Sequence, residues 1–270
     1  MKHERVAAAL IEAGGLRVNA RDPFILASRK ICPVYVDVRR LTTMPDGWRA
    51  AIDDLVEVVR SLGNIDAISG GELADLLFSV PVAFKLGLPH LAIRKQPKSY
   101  GTGGRLVGEV NPKSRFAHVS DLVTSGTSAI HWVKEVREAG GIVNDYVVVF
   151  NRNQGGREAL EKVGVKVHTL LELNEEFLSF ASARGGLTRV QVKAVREYLA
   201  NPERWSTRYL RRNPEFLTER ITAAGGRMGR SDGLEVLSQG YPELIVEIGA
   251  VVRKRLQEVG LDEGLLRSTS

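Results

Sequence analysis

The segment richest in chemistry spans residues 116–133, FAHVSDLVTSGTSAIHWV. An apolar strand over 116–119 leads to Asp121, then to Thr124, Ser125, Gly126, Thr127 and Ser128, then to a helix. Backbone amides in such a turn, together with the helix N-terminus, form a cradle for a phosphate dianion. Four hydroxyls in five positions add donors, and Gly126 permits close backbone approach. A carboxylate at 121 repels phosphate but suits the hydroxyls of whatever carries it, so this order of residues fits a phosphosugar. A plain serine or threonine helix cap has the same local pattern.

Residues 94–108, RKQPKSYGTGGRLVG, are basic, glycine-rich and poor in apolar side chains. They predict a long mobile loop, and long loops inside compact domains are usually functional. Arg94, Lys95 and Lys98 put three cations in five positions. Fixed cations stabilise negative charge that builds on a departing group. A loop that closes over the reaction also excludes water. A solvated basic loop is the plainer alternative.

The elements that must carry these groups alternate from about residue 64 to 170. Strands are predicted at 66–69, 90–93, 116–119, 142–150 and 165–169, and helices at 72–86, 129–139 and 155–163. Alternation of this kind predicts βαβ units and a parallel sheet, with ligands at the carboxyl ends of strands. The informative residues therefore follow Ser69, Val119 and Phe150. Ser69, Gly70 and Gly71 form a small-residue turn that backbone or ligand can approach closely. Residues 23–39 hold two apolar runs of strand composition, 46–62 have helical spacing, and 1–15 read as a short amphipathic helix. Beyond Gly185 and Gly186, residues 188–199, 202–212, 214–224 and 242–259 read as helices, several with proline near the first turn. The fold class is thus α/β with a C-terminal all-helical extension, divided as 1–186 and 187–270.

Composition narrows the partners. A single cysteine, Cys32, rules out an internal disulfide and cysteine-based zinc or redox motifs, so a reducing cytoplasm is the expected compartment. No apolar run approaches the roughly 18 residues of a membrane helix, and no membrane association is expected. The net charge of +6 is spread evenly: 14 basic and 11 acidic residues lie beyond 186, 24 and 21 before it. Without a basic tail, charge alone does not argue for nucleic acid, and a mild excess also suits anionic small substrates. Residues 204–212, RWSTRYLRR, interleave arginines with Trp205 and Tyr209. Bases could stack there, but two aromatics four apart share a helix face and are expected to point to the core. The five histidines show no metal-ligand spacing, and His118 and His131 are expected to be structural. No protein metal ligand is predicted.

VSDLVTSGTS resembles the PRPP-binding motif of type I phosphoribosyltransferases, an apolar strand with two acidic residues and a Thr/Ser-Gly-Thr/Ser loop. Ser120 stands where that motif has its first acid. RKQPKSYG resembles the catalytic loop of orotate phosphoribosyltransferases, commonly RKExKxHG. Two further segments resemble that branch. Residues 24–41 match an F-x-L-x-S-G-x-x-S-P-x-Y-x-D-x-R pattern at Phe24, Leu26, Ser28, Pro33, Tyr35, Asp37 and Arg39. They depart from it at Arg29 and Cys32, and Ala27 replaces a lysine that many members carry. FNRNQGG resembles a D-R-x-x-G-G segment, with Asn151 in place of the aspartate.

The resemblance covers about residues 20–175 and implies a type I phosphoribosyltransferase-like parallel sheet flanked by helices. It implies transfer of phosphoribose from PRPP to orotate in pyrimidine nucleotide biosynthesis, with magnesium (Mg2+) held mostly by substrate and water. It implies a homodimer in which the 94–108 loop reaches the neighbouring active site. By the resemblance Lys98 and Asp121 are catalytic. Arg94, Lys95, Lys98, Tyr100, Ser120, Asp121 and the residues Thr124 to Ser128 bind PRPP. Ser69, Gly70 and Gly71 take the pyrophosphate, and Thr124 and Arg152 take orotate. Two alternatives stay open: a phosphoribosyltransferase of different base specificity, and a PRPP-sensing, nucleic-acid-binding regulator.

Overall fold

A computed structural model describes residues 1–26, 28–98, 104–217 and 236–258. The chain forms two compact units, one of Met1–Leu16 with Val36–Leu187, the other of Arg17–Tyr35 with the chain from Thr188 onward.

The first unit is built on a six-stranded sheet. Its strands are β5 (Ala67–Gly71), β6 (His90–Lys98), β7 (Gly104–Val107), β8 (Arg115–Val123), β9 (Ile142–Asn151) and β10 (Lys166–Glu172). Their order is β10-β9-β8-β5-β6-β7, parallel throughout except for the antiparallel edge strand β7. β5 is buried along its whole length and β8 and β9 over most of theirs, as strands covered on both faces are. Valine runs such as Val147–Val149 supply the β-branched packing surface.

Helices α1 (Glu4–Glu12), α2 (Pro45–Ser61), α3 (Leu76–Leu86), α4 (Thr127–Glu138), α5 (Gly156–Lys162) and α6 (Glu175–Ala183) complete this unit. Because β5 connects to β6 on one side and pairs with β8 on the other, the order reverses between β5 and β8. Open α/β sheets bind ligands at such a reversal, outside the carboxyl ends of the strands.

The second unit holds the β2 (Phe24–Ile25) and β3 (Ile31–Cys32) hairpin and helices α7 (Arg189–Ala200), α8 (Pro202–Arg212) and α9 (Ile245–Glu258). β1 (Leu16–Val18) pairs with β4 (Val34–Val36). α8 and Tyr241 hold the hairpin: the Ile31 amide donates to Tyr241 Oη at 2.9 Å, Ser206 Oγ donates to the Ile31 carbonyl at 3.1 Å, and Lys30 pairs with Glu203. The expected division at 186–187 therefore differs from the observed one in residues 17–35, which cluster with the helices that follow Leu187. Trp205 is buried and stacks on Tyr209, whose hydroxyl donates to the Arg21 carbonyl, so neither ring is an open platform for bases.

Three expected elements are corrected. The stretch 94–108 is not a loop throughout: β6 runs to Lys98 and pairs with β7 through Ala92 with Val107 and Lys98 with Gly104. β8 continues past Val119 to Val123, because its pairing with β9 continues to Val123 and Asn151. Helix α3 begins at Leu76, not at Glu72. The helix expected at 214–224 lies largely outside the described residues.

Candidate active site

β8 carries Ser120 and Asp121 to the carboxyl edge, and the 124–128 turn follows directly. Gly126 caps α4 with φ +81°, a left-handed conformation that favours glycine. The hydroxyls here face outward: Ser125, Thr127 and Ser128 are exposed, Thr124 is half-buried, and Ser125 Oγ lies 3.1 Å from Thr127 Oγ1. The α4 N-terminus therefore ends in an open, hydroxyl-lined turn suited to an anion.

A neighbouring turn supports this one. Gly155, at φ +89°, caps α5 after β9. A Cβ on Gly156 would lie 2.4 Å from the Thr124 carbonyl, and one on Gly126 would lie 3.1 Å from the Gly156 carbonyl. The two glycine turns thus pack backbone against backbone, and the second sets the height of the first.

Ser69, Gly70 and Gly71 lie within β5, fully buried, and are not the turn that the sequence suggested. The space left by their missing side chains is filled from inside. A Cβ on Gly70 would meet Ser79 Oγ at 2.2 Å, and one on Gly71 would meet the Trp132 ring at 2.4 Å. The turn proper is residues 72–75, which begins with a cis peptide between Glu72 and Leu73. Glu72 accepts the Lys95 amide at 2.7 Å, tying this turn to β6.

Beneath the crevice is a polar cluster that sequence reasoning missed. Asp75 Oδ1 accepts from Ser120 Oγ at 2.7 Å and from the Asp121 amide at 3.3 Å. Asp75 Oδ2 accepts from the Gly71 amide at 3.0 Å and lies 3.4 Å from His118 Nε2. His118 Nδ1 in turn lies 3.0 Å from Ser69 Oγ. Burial pushes the Asp75 carboxyl up, but His118 and the hydrogen bonds from Ser120 and Asp121 outweigh it and hold the group below its ordinary range. Asp121 is driven the other way: burial, then the adjacent Asp75 charge, push it well above the usual carboxylate range, against the opposing pull of the Leu122 amide and Arg39.

Ser120 is buried, and its hydroxyl donates inward to Asp75. No local pattern marks Asp75, which lies 45 residues from Ser120 in sequence. His118 is fully buried, while His131 is half-buried and pairs with Glu135.

Arg152 follows β9 and is 3% exposed, with its amide donating to the Val123 carbonyl at 3.0 Å. The carboxyl ends of β8 and β9 are thereby joined beside the 124–128 turn. Asn151 is spent on Asn153, donating to its side chain at 2.8 Å and accepting its amide at 2.9 Å. Arg94 is half-buried and Lys95 exposed on β6. Lys98 ends β6, while Tyr100 lies outside the described residues. Among the described residues no three His, Cys, Asp or Glu side chains gather as a metal site.

No family model matches the chain. Among solved structures, the orotate phosphoribosyltransferase of Aeropyrum pernix is similar over 68% of this chain and 99% of its own, with a TM-score of 0.57 and 27% identity. The UMP synthase of Leishmania donovani is similar over 74% of this chain with a TM-score of 0.66 and 26% identity, but the match spans only 42% of that longer chain. The reversed parallel sheet and hydroxyl-lined turn define a type I phosphoribosyltransferase fold. The chain is 36% identical over 175 residues to the orotate phosphoribosyltransferase of Methanopyrus kandleri, covering 65% of this chain and 92% of that one. It is 34% identical over 210 residues to that of Dinoroseobacter shibae, covering 76% and 92%. It belongs to the orotate phosphoribosyltransferase family.

Proposed function

We propose that the chain transfers the 5-phosphoribosyl group of PRPP to orotate, giving orotidine 5'-monophosphate and pyrophosphate. The observation that carries the reading is the open hydroxyl-lined turn at the α4 N-terminus, with Asp121 preceding it at the sheet's reversal point. In this reading the turn seats the 5-phosphate through its amides and hydroxyls, and Asp121 binds the ribose hydroxyls. The bond from the ribose anomeric carbon to pyrophosphate breaks and pyrophosphate keeps the electron pair; a ring nitrogen of orotate bonds to that carbon with the electron pair of its broken N–H bond, and the proton passes to the departing pyrophosphate or to water.

Arg94, Lys95, Lys98 and Tyr100 stabilise the charge on the departing pyrophosphate, and Lys98 assists its departure. Arg152 orients orotate, since a planar guanidinium donates twice to a carboxylate or to carbonyl oxygens. Thr124 lines the same side. Magnesium, a hard cation, would enter on the oxygens of PRPP. The donor set fits this role, because the open site offers hydroxyls and the half-buried Asp121, with Asp75 already occupied by its own hydrogen bonds. The ion would supply charge neutralisation on the pyrophosphate. A cytoplasmic homodimer, with the 94–108 segment reaching the neighbouring site, belongs to the same reading. Among the described residues no helix is long and apolar enough to cross a membrane.

The test is an orotate absorbance assay with PRPP and magnesium, run beside Lys98→Ala. Turnover in the parent and a loss of about 100-fold or more in the variant are expected. A folded parent that binds PRPP but does not consume orotate would remove the base assignment, and a panel of other bases would then identify the acceptor.

A further inference from the structure

We propose that Asp75 is a positioning residue that supplies, from the N-terminal end of α3, the anionic anchor that β8 lacks at Ser120. By this anchor it holds Asp121 and the turn after β5 in one arrangement. The inference rests on the ribosyl-transfer reading above.

Backbone pairing between β5 and β8 covers Ala67 with Phe116, Ile68 with Ala117 and Ser69 with His118. Beyond that point, at the crevice, the carboxylate of Asp75 makes the connection. One of its oxygens takes the Gly71 amide of β5, and the other takes the Ser120 hydroxyl and the Asp121 amide of β8. Both oxygens of the buried Asp75 carboxylate are taken by these groups, so it acts through them. An acid at 120 would face the Asp75 carboxylate at the 2.7 Å now occupied by a hydroxyl–carboxylate bond, and like charges that close cannot both persist. Acid at 75 and hydroxyl at 120 are therefore a matched pair. Exchanging the two should preserve one hydrogen bond and one charge.

The experiment compares Asp75→Ser, Ser120→Asp and the double exchange in the full chain. It reads steady-state kinetics with PRPP and orotate, and hydrogen exchange at the Gly71 and Asp121 amides. Asp75→Ser is expected to lower kcat/KM for PRPP by about 10- to 100-fold, as misplacement of a binding group does, and to speed exchange at both amides. The KM for orotate should stay within about threefold, since base binding is not touched. Ser120→Asp alone should lose at least as much. The double exchange should return to within about fivefold of the parent, because the charge and hydrogen-bond pair are restored.

An Asp75→Ser enzyme that handles PRPP as the parent does, or a double exchange no better than the worse single variant, would overturn the inference. Should Asp75→Ser not fold, a folded and active double exchange supports it and an unfolded one overturns it. A parent that turns over no PRPP would instead sink the functional reading. The amide exchange, which needs no substrate, then decides on Asp75 separately.

Discussion

The imidazole of His118 lies nearly parallel to the ring of Tyr146, with centroids 4.9 Å and planes 18° apart. This contact fixes the β8 imidazole against β9 while its two nitrogens face Ser69 and Asp75. His118→Leu leaves both of those polar groups short of a buried partner. It should cost about 2–3 kcal/mol of stability, read from urea denaturation. Tyr146→Phe keeps the stack and removes only a buried hydroxyl, so a loss of about 1 kcal/mol is expected. Equal losses from the two changes would contradict this division.

The contact between glycine turns makes Gly156 important to a turn it does not belong to. Gly156→Ala must displace the Thr124 carbonyl, so KM for PRPP should rise about tenfold, equal to about 1.4 kcal/mol of binding. Gly155 is the control: a Cβ there meets nothing within 4 Å, although φ is +89°. Gly155→Ala should cost about 1 kcal/mol of stability and leave KM for PRPP unchanged. Phosphate and PRPP titrations of the two variants distinguish binding from folding.

Arg152 should separate the two substrates. Arg152→Lys retains the charge but not the planar pair of donors, so KM for orotate should rise about tenfold while KM for PRPP stays within about threefold. Parallel increases in both would move Arg152 out of the base site.

His90 gives the fold a pH dependence. Its Nε2 lies 2.9 Å from Ser79 Oγ, and burial, then repulsion from His118, lower its pKa to about 4 from 6.5. Protonation is thus harder in the folded chain than in the unfolded one. The stabilisation is fully present above pH 6.5 and is lost as pH falls through about 4. With partial exposure and solvent screening the effect should be about 1 kcal/mol. His90→Gln should flatten the denaturation midpoint between pH 6.5 and 4, and an unchanged slope would count against this account.

The alternation of strand and helix, the basic segment and the turn at 124–128 were legible in the residues. Glycine punctuation, helical spacing and hydroxyl clustering act over a few positions, and those distances survive in any fold. The strand order was not legible, because it depends on which apolar surfaces pack together. Ser69, Gly70 and Gly71 looked like a turn since small residues suit turns, whereas the folded chain uses their size to admit Ser79 and Trp132. The partnership of Asp75 with Ser120 and the clustering of residues 17–35 with helices beyond Leu187 join parts of the chain that are far apart in sequence. Only a packed interior brings such groups within hydrogen-bond range, and there a buried carboxylate must find donors wherever the chain offers them.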